Sequence, residues 1–312
     1  MNYAHALRRA ASAMISLFAF ALLTPAAQAA TSEPWPITLR TQIQRLATVG
    51  YRLDLAAAHL CTEQAAGTGL ALDYIQAYPA GDRPAVAQLL GLGDVPQIAA
   101  VVPDGPAEKA GIRVGDDLLS IDGEQVTGII SASSDPALLS DELEQRMASR
   151  PASSPILLGL RRGGEPLEVK LVPTATCPAR FVLKTGEGIT AVSDGVNVAV
   201  SSKLITFSRN DDEVALIAGH ELGHVLHRDG TARSLGERRS MEDRADLLGA
   251  RLAACAGYDP ELGLQFWLRR DSQDWLRLFR DPTHRSRKAR VELMRKDLAN
   301  ITCPVEPLST HG

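Results

Sequence analysis

At 312 residues the chain has room for two ordinary domains, and with 45% apolar and 22% charged residues it can bury real cores rather than remain disordered. A net charge of -4 excludes a dedicated nucleic-acid binder, which needs a basic surface excess, and 4% aromatic residues leave no stacking platform for bases. The locally basic stretch from Arg285 to Arg295 reads as the solvated face of a late helix.

The first thirty residues have the layout of a secretory signal peptide: Arg8 and Arg9, a short apolar run from Met14 to Leu23, and Ala27-Gln28-Ala29 as a cleavage site. The run is short for a membrane span, and no other run approaches that length. The expectation is export to the periplasm, the alternative being an anchor in the inner membrane by an uncleaved signal. In an oxidising compartment the four cysteines pair, and the expected bonds are Cys61–Cys177 and Cys255–Cys303. The first pair flanks a middle block of different texture, and the ends of an inserted domain usually lie close together.

From Leu39 to Leu60, Ile43, Leu46 and Val49 recur at helical spacing. Pro79-Ala80-Gly81-Asp82 is a break. From about Leu89 short strands and turns follow: Ile98 to Val102, one helical turn at Ala107 to Ala110, Leu118 to Ile121 ended by Asp122-Gly123, and the pair Ile156 to Leu160 and Leu167 to Leu171. Between them Leu139, Leu143 and Met147 share one helical face. Val196 to Val200 reads as a strand, and Asp211 to Leu226 as a helix capped by Asn210 or Asp211. Ser240, with Asp243 three residues on, is expected to cap a second helix ending at Gly257. Two more helical segments lie near Leu262 to Arg269 and Lys288 to Leu298.

The chemistry concentrates in His220-Glu221-Leu222-Gly223-His224. Histidines four apart on a helix reach one ion, and the glutamate between them is turned aside, near enough to take a proton from a zinc-activated water. A catalytic zinc needs a third protein ligand and an open fourth position. Glu242 is the best candidate, with Asp243 and Glu237 as weaker competitors, and Asp246 on its face is placed to orient a ligand imidazole. His227 falls round the helix from His224 and reads as a surface or loop histidine. His284, in Asp281-Pro282-Thr283-His284, is either a donor to the oxyanion of a tetrahedral intermediate or an ordinary loop histidine.

HELGH, then EDRAD, then a downstream histidine and arginine resemble the gluzincin family of the CAAX prenyl protease, HtpX and the mitochondrial and periplasmic quality-control peptidases, over roughly Val196 to Val291. The resemblance implies one zinc on His220, His224 and Glu242, peptide-bond hydrolysis with Glu221 as general base, and an oxyanion role for His284. Arg290 matches that family's arginine, while Arg285 stands where many members have proline. The run Gly105-Pro106-Ala107 through Ala110-Gly111, then Gly115 to Gly123, resembles an HtrA-type PDZ domain. There Leu90-Gly91-Leu92-Gly93 would receive a peptide carboxylate, with a groove between the following strand and the helix of Leu139, Leu143 and Met147; the plainer reading is that those three are core.

The expected architecture is α+β: a signal peptide at 1–29, an N-terminal segment of the peptidase domain at 30–88, an inserted β-rich PDZ-like domain at 89–173, and a mainly helical zincin-type domain with a small sheet at 174–312. The expected function is zinc-dependent endopeptidase cleavage of exported, unfolded or misfolded envelope proteins, captured by their C-termini, with the substrate strand pairing with Val196 to Val200. No nucleic-acid partner and no stable membrane span after signal cleavage are expected, and the sequence is silent on oligomeric state. The alternative is a peptide-binding or chaperone-like PDZ protein with a vestigial metal site.

Overall fold

The computed structural model describes residues 33–186, 188–273 and 284–306; the signal-peptide segment and residues 281–283 lie outside them. The chain opens with helix α1 (Trp35–Ala57), whose Leu46, Val49, Leu53 and Ala57 form one buried stripe. Strand β1 (Ala65–Gly67) follows, then β2 (Leu70–Asp73), α2 (Arg83–Leu90), β3 (Gln97–Val101) and the single turn α3 (Pro106–Lys109). Next come β4 (Asp117–Ile121), β5 (Glu124–Gln125), α4 (Val126–Ala132), α5 (Leu139–Ala148), β6 (Ile156–Arg162), β7 (Glu165–Leu171) and β8 (Thr174–Thr176). The remainder is β9 (Arg180–Lys184), β10 (Ala191–Ser193), β11 (Asn197–Ser201), α6 (Ser202–Phe207), α7 (Asp211–His227), α8 (Leu235–Cys255), α9 (Pro260–Gln273) and α10 (Arg287–Leu298). The fold class is α+β. No helix among the described residues is long and apolar enough to cross a membrane.

Two separate cores divide this unit. One joins α1 to β11, α6, α7, α8 and Phe266. The other fills the six-stranded sheet, ordered β2-β3-β4-β6-β7 with β5 beside β4, and includes Leu139, Leu143 and Met147, all fully buried. Those three residues therefore serve as core. The sheet reaches back to Leu70, upstream of the change of texture at Leu89, because β2 pairs antiparallel with β3. Its two ends meet in a short stem, β1 against β8 with Ala65 opposite Thr176. Beyond the stem, Cys61 and Cys177 are bonded with Cα atoms 5.7 Å apart. The second bond, Cys255–Cys303, ties the C-terminal segment to α8.

Two expectations fail here for identifiable reasons. Leu90 ends α2, Gly91 terminates it at φ 71°, and Leu92 packs with Tyr78 and Val86, so this run closes a helix and a small core. The strand after it, β3, lies between β2 and β4 with its hydrogen-bonding groups already engaged on both sides, so no peptide can add to it. Among the described residues, the strand of the sheet that has a free edge and packs against α5 is β2. Helix α8 also starts earlier than Ser240: Ser234 Oγ accepts from the Glu237 amide at 3.1 Å, and Glu237 accepts from the amide of Arg233, the residue before the cap, at 2.6 Å, a variant of the capping box.

The crossing of α7 and α8 fixes everything that follows. A Cβ on Gly219 would lie 2.7 Å from the Gly249 carbonyl oxygen, and one on Gly223 would lie 3.0 Å from Ala245 Cα. The pairs 219–249 and 223–245 run in opposite senses, so the helices are antiparallel and nearly in backbone contact. A Cβ on Gly249 would strike the His220 amide and Gly219 backbone, which cannot yield as a flexible side chain would. Gly249→Ala is therefore expected to force the helices apart and destabilise by roughly 3 kcal/mol, the upper part of the overpacking range. A thermal melt checks this; an unchanged Tm would mean that the crossing is not tight.

Candidate metal centre

Helix α7 begins where Asn210 Oδ1 accepts from the Glu213 amide at 3.0 Å, with Asp211, Asp212 and Glu213 in its first turn, where the helix dipole favours acids. Two turns on, His220 and His224 project toward α8. Their Nε2 atoms are 3.2 Å apart, and each is 3.4 Å from Glu242 Oε2. A tetrahedral ion with ligand bonds of ~2.05 Å has ligand–ligand edges of about 3.3 Å. The three donor atoms thus already form one face of such a tetrahedron, and the donor set suits zinc. His284 Nε2 lies 2.9 Å from the same Glu242 oxygen, and the donor atoms of His220, Glu242 and His284 lie within 4.8 Å of one another, close enough to share an ion.

Carboxylates hold both imidazoles from behind. His220 Nδ1 is 2.9 Å from Asp246 Oδ1, and His224 Nδ1 is 2.8 Å from Asp229 Oδ2. With Nδ1–H donated to a carboxylate, each Nε2 turns its lone pair to the centre. Asp246 is itself clasped by two bonds from Arg290, one of them 2.7 Å from Nε, and Arg290 lies 3.9 Å above the Trp267 ring. Asp229 receives Arg244 at 3.1 Å.

The electrostatics follow from this crowding. Burial disfavours a charged His220, but the Asp246 and Glu242 carboxylates outweigh it and lift its pKa to about 9. His224 is raised as well, since the Glu242 and Asp229 carboxylates outweigh burial and the charge of His220. Burial pushes Glu242 up, yet hydrogen bonds from His220, His224 and His284 hold it far below the carboxylate range. Asp246 is likewise depressed, burial being overcome by Arg290 and His220. A pocket that stabilises positive charge this strongly suits a divalent cation.

Glu221, between the two histidines on α7, is held from β10, where Ser193 Oγ donates to its Oε2 at 3.0 Å. The weaker ligand candidates are engaged elsewhere: Asp243 is held by Arg285 at 2.7 and 2.8 Å, and Glu237 by the capping box. Arg285, next to His284, thus anchors that segment onto α8. His227 closes α7, its Nε2 enclosed without a hydrogen-bond partner among the described residues, and burial lowers its pKa. Sequence reasoning missed Asp229 and Ser193. No residue type signals Asp229: it follows Arg228, whose left-handed φ of 52° ends the helix and turns the next side chain back toward His224.

The strand beside the site corrects another expectation. β11 is the centre of its sheet, with β10 antiparallel on one side and β9 parallel on the other. Val196 to Val200 therefore has no free edge for a substrate strand. Among the described residues, the free edge on the Glu221 side belongs to β10.

Residues 189–237 match Peptidase family M48, and residues 97–134 match a PDZ domain. The chain is 28% identical over 172 residues to a provisionally named zinc metalloprotease of Agrobacterium fabrum, covering 54% of this chain and 41% of that protein. It is 36% identical over 81 residues to one of Rhizobium meliloti, covering 26% and 18%. It thus spans less than half the length of these relatives. Among solved structures it is similar to the HtrA-type protease AlgW with a decapeptide (22% identity, 36% of this chain, 30% of that chain, TM-score 0.27). It is also similar to a serine endoprotease from Yersinia pestis (26% identity, 26% and 25% coverage, TM-score 0.21).

Proposed function

We propose that this chain, an M48-type metallopeptidase with a PDZ domain, is a zinc-dependent endopeptidase that cleaves exported, unfolded or misfolded polypeptides. The carrying observation is the triangle of His220, His224 and Glu242, whose donor edges of 3.2–3.4 Å match those of a tetrahedral zinc site. One zinc per chain would be held there, acidifying water and polarising the scissile carbonyl.

The residues divide the remaining work. Glu221, steadied by Ser193, accepts the proton of the attacking water and later passes it to the leaving amine. His284, whose Nε2 lies 2.9 Å from Glu242 Oε2, donates to the developing oxyanion. Asp246 and Asp229 are positioning residues that fix the tautomers of His220 and His224. An extended substrate pairs with the β10 edge, which keeps its scissile bond beside Glu221. We take the PDZ unit to be the six-stranded sheet with α5, its β2 edge capturing a free C-terminal segment of the substrate, and the periplasm to be the compartment.

The test is metal analysis joined to proteolysis. Purified protein should hold one zinc per chain and degrade a reduced, carboxymethylated protein. A chelator should abolish that cleavage and added zinc restore it. Cleavage that survives complete removal of the metal would sink the reading.

A further inference from the structure

The β2 edge carries a feature that ordinary strand addition does not need. The Leu72 N–H points away from β3, where the carbonyl of an added strand would sit, and Glu144 Oε1 of α5 accepts it at 2.6 Å. One helical turn earlier on the same face of α5, Ser140 Oγ is enclosed without a hydrogen-bond partner among the described residues. The slot between β2 and α5 thus holds one carboxylate in the place of a peptide carbonyl and one hydroxyl with its hydrogen-bonding capacity unused.

We propose that Glu144 is a displaceable stopper: it closes the β2 edge by occupying the Leu72 amide, and a peptide docks there only by driving it out. The inference rests on the proposed capture of substrate at this edge and adds its regulation. The incoming carbonyl replaces the carboxylate on the Leu72 N–H, Ser140 gains a partner, and Glu144 moves into water. Asp141 on its own helix, Asp73 on β2 and Arg180 on β9 are the charged groups that face it. Asp141 and Asp73 oppose its charge and Arg180 favours it.

The displacement has a definite pH sign. Burial pushes the Glu144 carboxyl up to about 7 in the closed slot, the Leu72 hydrogen bond notwithstanding. Once displaced into water it would have an ordinary glutamate pKa of ~4.3. The closed state therefore holds the proton more tightly, and opening releases it. Peptide affinity should rise with pH between roughly 5 and 7 and level off above 7.

The experiment uses the full chain in a Glu221→Gln background, so that the probe survives. The probe is a fluorescein-labelled decapeptide free of histidine and acidic residues, ending in valine with a free carboxylate. Anisotropy titrations at pH 5 to 8.5 should show at least a tenfold gain in affinity up to pH 7. Glu144→Ala should bind at least tenfold more tightly at pH 5.5, with a flat profile. Glu144→Gln, which keeps an acceptor for Leu72 and the packing, should bind weakly with an equally flat profile. Equal affinities and equal pH profiles in parent and Glu144→Ala would overturn the stopper while leaving docking intact. No binding by any variant at any pH would overturn docking at this edge, and the stopper with it.

Discussion

Glu221→Gln should leave one zinc per chain in place and lower turnover of an unfolded protein by about 10²–10⁴-fold, the range that a positioned general base contributes. The amide has the shape of the carboxylate, and its oxygen can still accept from Ser193, so neither α7 nor the donor triangle has cause to move. What is lost is the ability to take a proton. Steady-state kinetics with metal analysis on one preparation separates the two effects. Residual turnover within a factor of a few of the parent would remove Glu221 from the mechanism, and loss of zinc would make it a ligand.

Glu242→Ala should do the converse and empty the site. Loss of a partner that merely orients a ligand costs ~10–100-fold in metal affinity or activity. Glu242 Oε2 is instead the atom on which His220, His224 and His284 converge, at 3.4, 3.4 and 2.9 Å. Its removal should therefore weaken zinc by more than about 100-fold, whereas Asp246→Asn should stay within that range. Competition against a chromophoric chelator measures both. Full zinc occupancy in Glu242→Ala would show that another carboxylate completes the site.

The reach of the sequence had a physical boundary. The pairs His220–His224 and Glu242–Asp246 were legible because each is intrahelical and a four-residue spacing translates directly into a face, whereas the approach of Glu242 to the histidines is a contact between α7 and α8 that spacing does not predict. The pairing of Cys61 with Cys177 was legible because an insertion must return to its point of departure. Sheet order was not, since period-2 alternation marks a strand without naming its neighbours; the central place of β11 and the free edge of β2 arise from pairings between distant segments. The start of α8 was ambiguous for a local reason. Ser234-x-x-Glu237 and Ser240-x-x-Asp243 both satisfy the capping pattern, and only backbone conformation chooses between them. Asp229 was hidden because its contact with His224 depends on a left-handed residue at Arg228, a position where glycine or asparagine is the usual signal.

The stem of β1 and β8 sets a timetable for a growing chain. In a chain delivered N-terminus first, α1 appears early, yet the residues that cover its apolar stripe, among them Val198, Ile205, Val214 and Leu222, follow about 150 positions later, beyond the whole inserted sheet. The insertion, with its own core, can complete itself meanwhile and bring residues 65–67 and 174–176 together. Its closure turns a distant encounter into a near one: α1 is then carried to the place where β9, β11 and α7 will emerge. The middle of the chain is thereby an assembly jig for its two ends, and a defect inside the insertion would surface as a late failure to build the metal centre.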